Sequence, residues 1–454
     1  MLCCKLCGIG IDMLKVLKFG GSSLADAECF KKVKNIIDQD EFRKVIVVSA
    51  PGKRNKQDNK ITDLLYLCYA HIQYSVDYKP MLEMIKSRYQ DIINGLGVKF
   101  DLDKEFEKIE QHIIKGTDQD FIVSRGENLN AKIMASYLGW DFVDATDHII
   151  FNYDRSVDKQ RTYELLKLAY NSSKSGKIVV SGFYGTMPDG KLALMSRGGS
   201  DITGALVAAA LEADIYENWT DVPGILMADP SIVKDPYPIP KISYDELREL
   251  TYLGAKVLHE ASVFPVREAG IPVNIRDTNN PSNPGTIIAE KFEDETEDKF
   301  YITGIAGRKH FSIIDIHHDN FGNNVNVLRD VLKVFESHSI SIEQINSSVD
   351  SLAVLVADDN LNTKVYKLVA ELEEICGEHN VTVTNDISLI AIVSRKMVLK
   401  TGISGLLFSA LGRNEVNIRI ISQGASELSI LIGVGSSDFE KAVKVLYDEF
   451  TKRA

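Results

Sequence analysis

Leu14 to Phe19 is an apolar stretch broken by Lys15 and Lys18 that stops at Gly20-Gly21-Ser22-Ser23, after which Phe30, Val33, Ile36 and Ile37 recur at helical spacing. The pattern predicts a strand, a glycine turn and a helix. Val45 to Ser49 is a short β-branched run of the kind buried on both faces, and the basic stretch Gly52-Lys53-Arg54-Asn55-Lys56-Gln57 after it reads as a mobile loop. Further apolar runs at Ile178 to Ser181, Ile215 to Trp219 and Val273 to Ile275 alternate with helical patterns, notably the alanine-rich Ile202 to Ala213. Strands alternating with helices predict an α/β fold, a mostly parallel sheet between helix layers.

The pattern changes after the turn-rich Asn279-Asn280-Pro281-Ser282-Asn283-Pro284-Gly285. Six acidic residues against two lysines between Glu290 and Lys299 suggest a solvated linker. Beyond it a shorter pattern of strand, helix, strand, strand occurs twice. At an offset of 76 residues Val327, Val331, Leu332, Phe335, Ile340, Ile342 and Ile345 fall on Ile403, Leu407, Phe408, Leu411, Val416, Ile418 and Ile421, and the match continues from Leu352, Val354 and Val356 to Leu428, Ile430 and Ile432. A duplicated small α/β module is expected. The expected organisation is a catalytic domain over 14–289, a linker over 290–300 and two units over 301–385 and 386–454, with the first strand open to exchange between the units.

Composition narrows the classes. The 454 residues carry a formal charge of −12, which disfavours nucleic acid as the main partner because phosphate neutralisation needs clustered Lys and Arg. No apolar run approaches the roughly 20 residues of a membrane span, and no signal peptide opens the chain, so a cytoplasmic protein without membrane contact is expected. Cys3, Cys4, Cys7, Cys29, Cys68 and Cys376 are too few and scattered for a disulfide scaffold. The cluster Cys3-Cys4-Lys5-Leu6-Cys7 lacks the second ligand pair of a structural zinc site, and no metal site is expected there or elsewhere. Met13, just before the first strand, is an alternative start.

Several segments could hold an anion. In Lys18-Phe19-Gly20-Gly21-Ser22-Ser23, paired glycines at a strand end let N–H groups close on a phosphate, a helix N-terminus adds its dipole, and Lys18 adds a full charge. Taken alone it is as readily a plain turn, and it is not a P-loop. Ser196-Arg197-Gly198-Gly199-Ser200-Asp201 repeats the logic ahead of a helix that Asp201 could cap. Ser124-Arg125-Gly126-Glu127 precedes a helix. Trp219-Thr220-Asp221-Val222-Pro223-Gly224-Ile225 ends a strand, with Trp219 open to a plain core role. Gly254-Ala255-Lys256-Val257-Leu258-His259 carries a lysine in an otherwise apolar segment, which an anionic ligand would explain.

In order and spacing these five motifs resemble those of the aspartate kinases (monofunctional aspartokinases) of the amino acid kinase family, and the doubled C-terminal module resembles that family's tandem ACT domains. The resemblance implies an amino acid kinase fold followed by two ACT-like, ferredoxin-type α/β modules. It also implies transfer of the ATP γ-phosphoryl to the β-carboxylate of L-aspartate, giving 4-phospho-L-aspartate at the entry to lysine, threonine and methionine synthesis, with end-product feedback inhibition. Carried over by position, Lys18, Asp201 and Lys256 would be catalytic. Lys18, Gly20, Gly21, Ser22, Ser200, Thr220, Asp221 and Lys256 would hold ATP, with Mg2+ arriving on the nucleotide. Ser49, Thr62, Glu127, Phe183 and Arg197 would bind aspartate, Glu127 taking the ammonium and Arg197 the α-carboxylate. Phe321, Asn324, Asn326, Leu328, Ser341, Ile342 and Glu343 would line an effector cleft for lysine, or threonine second, in a homodimer or dimer of dimers joined through the ACT units.

Four positions depart from the family pattern: Leu226 replaces a frequent aromatic residue, Ser231 an arginine, Asn326 a helix-opening glycine and Glu343 an aspartate. Gly402 and Gly405 keep theirs. Competing readings are a kinase of glutamate, carbamate or a nucleoside monophosphate, and a catalytically silent amino acid sensor. Glu127 with Arg197 favours an amino acid, and Lys18, Asp201 and Lys256 together favour catalysis. The chain ends at Ala454, just past the second module, so no fused homoserine dehydrogenase is expected.

Overall fold

The computed structural model describes residues 13–196, 198–254, 258, 260–292, 300–319, 321, 324–398 and 400–452. Cys3, Cys4 and Cys7, and the binding candidates Arg197 and Lys256, lie outside the described residues. Two compact units form: one of Met1–Ile225, Pro238–Tyr244 and Val257–Phe292, the other of Leu226–Tyr237, Asp245–Lys256 and Glu293–Ala454.

The first unit runs β1 (Lys15–Phe19), α1 (Ala27–Asp38), β2 (Arg43–Val48), α2 (Ile61–Gln73), α3 (Lys79–Leu96), α4 (Leu102–Ile114), α5 (Gln119–Leu138), β3 (Asp141–Val143), α6 (Ala145–His148), α7 (Lys159–Asn171) and β4 (Ile178–Ser181). It continues with β5 (Tyr184–Thr186), β6 (Leu192–Leu194), α8 (Gly199–Ala210), β7 (Ile215–Thr220) and β8 (Lys241–Ser243). After α9 (Tyr244–Tyr252), which belongs to the second unit from Asp245 onward, it closes with α10 (Glu260–Glu268), β9 (Val273–Asp277) and β10 (Thr286–Ala289). The main sheet has the order β3-β4-β2-β1-β7-β9-β10-β8 and is parallel throughout except between β9 and β10. Its central strands are buried on both faces. Leu17 and Phe19 of β1, with Ile46 and Val48 of β2, pack against α1 to α5. Each such side chain, fully removed from water, contributes about 1.5–3 kcal/mol.

Two sequence expectations shift by a turn, each for a local reason. Gly20-Gly21 leads first into a 3-10 turn, Gly21–Leu24, and α1 begins only at Ala27, where Asp26 caps it by accepting from the Cys29 N–H. The dipole beside the glycines is therefore that of a short turn. Helix α8 starts before its apolar periodicity does, because Gly198 at φ +78° opens it. Ser200 and Asp201 consequently sit in the first helical turn.

The second unit carries β11 (Gly304–His317), α11 (Val325–Ser337), β12 (Gln344–Ser347), β13 (Ser351–Ala357), α12 (Asp358–Leu361), α13 (Val365–Cys376), β14 (Val381–Val393), α14 (Ile403–Arg413), β15 (Ile418–Gln423), β16 (Ser429–Gly435) and α15 (Phe439–Lys452). These strands make one antiparallel sheet, β12-β13-β11-β14-β16-β15. β11 and β14 are long enough to serve both modules. The later part of β11 pairs with β13 and with the start of β14, whereas its first residues, Gly304 to Arg308, pair with Leu389 to Val393. Each module thus completes four strands by borrowing half of a long strand from the other. The first part of β11, Gly304 to Arg308, is thus the fourth strand of the second module.

Candidate active site

Parallel strands deliver their loops and helix N-termini at the carboxyl ends, and open α/β sheets bind ligands along that rim. Four adjacent strands, β4-β2-β1-β7, bring predicted residues there. Gly20, Gly21 and Ser22 follow β1, Ser49 follows β2, Phe183 follows β4 and Asp221 follows β7.

Lys18 and Asn218 face each other in register on β1 and β7, both buried. Their side chains converge on one oxygen: Asp201 Oδ1 lies 2.7 Å from Lys18 Nζ and accepts from Asn218 Nδ2 at 2.7 Å. Asp201 does not cap α8, since Gly198 occupies the N-cap and the Asp201 N–H donates to Gly198 O at 2.9 Å. Its carboxylate orients Lys18 instead. The remaining ammonium donors are available for an anion arriving along the rim. A Cβ added at Gly20 would stand 3.6 Å from Lys18 Nζ, so glycine there keeps the approach to the ammonium narrow but open.

Gly21 meets a glycine the sequence reading passed over. Gly52 N–H donates to Gly21 O at 2.7 Å, and a Cβ on Gly52 would lie 2.6 Å from the Gly21 carbonyl carbon. The loops after β1 and β2 therefore touch backbone to backbone, and any side chain at Gly52 would part them.

Glu127 lies within α5, where Gly126 leaves room for Ala50 and Leu65. It is 4% exposed, its Oε1 accepts from the Ala50 N–H at 3.2 Å, and its Oε2 has no hydrogen-bond partner. Burial pushes the carboxyl up to about 8, while the Ala50 N–H pulls the other way. One turn further, Asn130 Nδ2 donates to Ser49 O at 2.6 Å, and its Oδ1 is likewise buried and unpartnered. Beneath them Arg125 bonds Ser124 and stacks on Phe121 at 4.6 Å.

Phe183 adopts φ +79°, a strained conformation for an aromatic residue, held by the Thr203 hydroxyl on its N–H at 3.1 Å. Its ring lies on Gly199, and Gly182 passes within reach of Ser200, where a Cβ would stand 3.0 Å away. Thr62 is half-buried in the first turn of α2, whose Ile61 N–H donates to Pro51 O. The Thr220 hydroxyl is 3.2 Å from Asp221 Oδ1, and Asp221 and Ser22 are exposed. Trp219 is core: its ring lies under Arg43 and Arg276, and its Nε1 donates to buried Glu217. The basic stretch expected to be loose is tied down, because Arg54 bonds Asp58 and buried Arg88 bonds Asp58, Asn59 and Gly52.

In the second unit the effector candidates divide. Phe321 is 3% exposed and belongs to a core with Ile314, Val331 and Phe335, against which Leu328 and Ile342 also pack. Asn324 caps α11 through Val327 N–H, two residues ahead of Asn326, which is exposed with Ser341. The first module thus starts its helix on an asparagine side chain where the second uses Gly402 at φ +93°. Glu343 is already engaged, by the Tyr252 hydroxyl at 2.6 Å and by Arg308 at 3.3 Å. Of the departing positions, the Ser231 hydroxyl is spent on Asp229 and Leu226 is half-buried.

Residues 13–277 match the amino acid kinase family and residues 390–450 the ACT domain. Aspartokinase 3 of Bacillus subtilis is 33% identical over 96% of this chain and 98% of its own. The crystal structure of Clostridium acetobutylicum aspartate kinase is 44% identical, with a TM-score of 0.87 over 96% of this chain and 100% of that one. Aspartokinase III of E. coli superposes with a TM-score of 0.71 in two structures, an R-state with aspartate and ADP and a T-state with lysine and aspartate, at 25% and 26% identity over 96% of this chain and 99% of theirs.

Proposed function

The chain belongs to the aspartokinases of the amino acid kinase family and is an ATP-using aspartate kinase under allosteric control; from that premise we propose that it phosphorylates the β-carboxylate of L-aspartate and is inhibited by lysine through its ACT modules. The observation that carries the substrate reading is the buried, half-unpartnered Glu127. A carboxylate held in an apolar wall with one oxygen free is a poor structural element and a good ammonium receptor. Arg197 and Lys256, assigned by family resemblance, would complete the grip on the α-carboxylate and the nucleotide. Lys18 would neutralise charge on the transferring phosphoryl, with Asp201 and Asn218 aiming it; Gly21 and the first turn of α8 would offer N–H groups to phosphate, whereas the Gly20 N–H is spent on Trp219 O at 3.1 Å and Gly20 would serve by leaving space beside Lys18. We assign the Mg2+ that accompanies ATP to the phosphates. Transfer to a carboxylate gives an acyl phosphate, so hydroxylamine added during turnover should trap aspartyl hydroxamate. ADP formed without hydroxamate would contradict a carboxylate acceptor.

Glu127 also sets a pH dependence. Before aspartate binds, its carboxyl is protonated up to about 8, and an ammonium favours the ionised form, so binding aspartate releases a proton. Below that value aspartate affinity should rise with pH, by up to about tenfold per unit, and level off above it. The stability sign is opposite. Between its ordinary unfolded value and about 8 the native state holds a proton that the unfolded chain has lost, so this group destabilises the free enzyme progressively as pH rises. Aspartate KM profiles from pH 6 to 9 test this, and a profile flat below pH 8 would remove Glu127 from the ammonium site.

For regulation we propose that the effector's ammonium competes for Glu343. Removing the Tyr252 hydroxyl frees Glu343 Oε2, so Tyr252→Phe should lower the lysine concentration for half-inhibition, while Glu343→Ala should relieve inhibition with activity retained. Wild type unaffected by millimolar lysine or threonine would leave the modules structural. The family resemblance further suggests a homodimer or dimer of dimers joined through the ACT units, in the cytoplasm. Among the described residues no helix is long and apolar enough to cross a membrane.

A further inference from the structure

Arg88 lies on α3, outside every motif that identifies the family, yet it is 4% exposed and its guanidinium faces four acceptors. Nη1 is 3.0 Å from both Asn59 O and Asp58 Oδ2, while Nη2 donates to Gly52 O at 2.9 Å and to Ala25 O at 3.4 Å. These acceptors are not scattered. Gly52 and Asn59 bracket the loop between β2 and α2; Ser49 stands just before it and Thr62 just after. Ala25 closes the 3-10 turn that follows the glycines. A second tie holds the same pair of loops, since Gly52 N–H bonds Gly21 O at 2.7 Å.

A buried arginine that served only to neutralise Asp58 would need one acceptor. Three of the four acceptors here are backbone carbonyls from two separate loops. Only a planar fork with donors on both sides can span them; an ammonium on a single stem is a point charge. We propose that Arg88 is a positioning residue for aspartate, fixing the separation of Ser49 and Thr62 by clamping both ends of the segment between them and keying it to the loop after β1. This rests on the reading that Ser49 and Thr62 contact aspartate. Misplacing a binding group by a fraction of an ångström weakens the productive complex without removing any group from it.

The conservative variant is the informative one. Arg88→Lys keeps a cation beside Asp58, and so keeps that buried carboxylate paired, but cannot reach Gly52, Asn59 and Ala25 together. It should raise the aspartate KM by about tenfold while the ATP KM stays within about twofold and saturating aspartate restores most of kcat. Asp58→Asn, which leaves the carbonyl clamp in place, should change the aspartate KM far less than Arg88→Lys does, while loss of the charge beside a buried guanidinium lowers the melting temperature. Ser49→Ala and Thr62→Ala separate the underlying reading: if neither raises the aspartate KM, the substrate assignment fails. If they do raise it and folded Arg88→Lys has the wild-type value, or raises the ATP KM equally, Arg88 is only part of the scaffold and the clamp is refuted. Circular dichroism and melting temperature establish folding for each variant.

Discussion

Lys18→Ala is expected to reduce kcat by about a thousandfold, with the ATP KM changed by less than about tenfold, because in the proposed role the interaction removed would be strongest when charge develops on the transferring phosphoryl. The side chain is buried at the end of β1, its ammonium 2.7 Å from Asp201 Oδ1. An ion pair kept only for stability would gain little from the third member, Asn218, which donates to the same carboxylate oxygen. Three residues from two neighbouring strands and a helix terminus, all aimed at one point, make an ammonium whose direction is fixed before ATP arrives. Asn218→Ala should therefore act in the same sense but more weakly, by about tenfold, since Asp201 keeps its lysine. Steady-state kinetics on both variants check this, and near wild-type turnover in Lys18→Ala would remove the lysine from the chemistry.

Glu127→Gln should raise the aspartate KM by about 30- to 1000-fold, the equivalent of roughly 2–4 kcal/mol for one half of a desolvated charge pair. The ATP KM should move little. Glutamine keeps the volume and an oxygen for the Ala50 N–H, so the loop after β2 stays in place and the loss reports the charge alone. The same substitution removes a carboxyl whose burial is unfavourable in the free enzyme. Glu127→Gln should accordingly melt higher than wild type at pH 8 while binding aspartate worse, a combination that a purely structural glutamate would not produce. A raised ATP KM of equal size would count against the assignment.

The strands that build the site were legible because parallel central strands are apolar on both faces and short. The runs at 45–49, 178–181 and 215–219 fall on β2, β4 and β7 for that reason. Motif glycines marked the loops, but which atoms they approach was not readable: Gly52 is a lone glycine in a polar stretch, and its need for glycine comes from Gly21, distant in sequence. Asn218 could have been noticed as an amide inside a buried strand beside Trp219-Thr220-Asp221. Asn130, a turn after Glu127 on a helix with few exposed positions, gave the same kind of signal. Arg88 gave none, because an arginine in an amphipathic helix usually faces water, and only the carbonyls it gathers reveal otherwise. The duplicated module was visible at its fixed offset and exchange of a first strand was left open, whereas the pairing of β11 and β14, each divided between the two modules, was not readable. Strand exchange leaves the hydrophobic pattern unchanged and alters only which neighbour each half-strand pairs with.

The central claim, that Lys18, Asp201 and Glu127 form one site for ATP-dependent phosphorylation of aspartate, is tested most directly by ADP release measured with aspartate, with glutamate and with no acceptor, for wild type and Glu127→Gln side by side. The account predicts release that depends on aspartate, is far smaller with glutamate, falls to background without acceptor, and in the variant requires much more aspartate to reach a comparable rate. Equal release with glutamate, or an aspartate dependence identical in the two proteins, would contradict it.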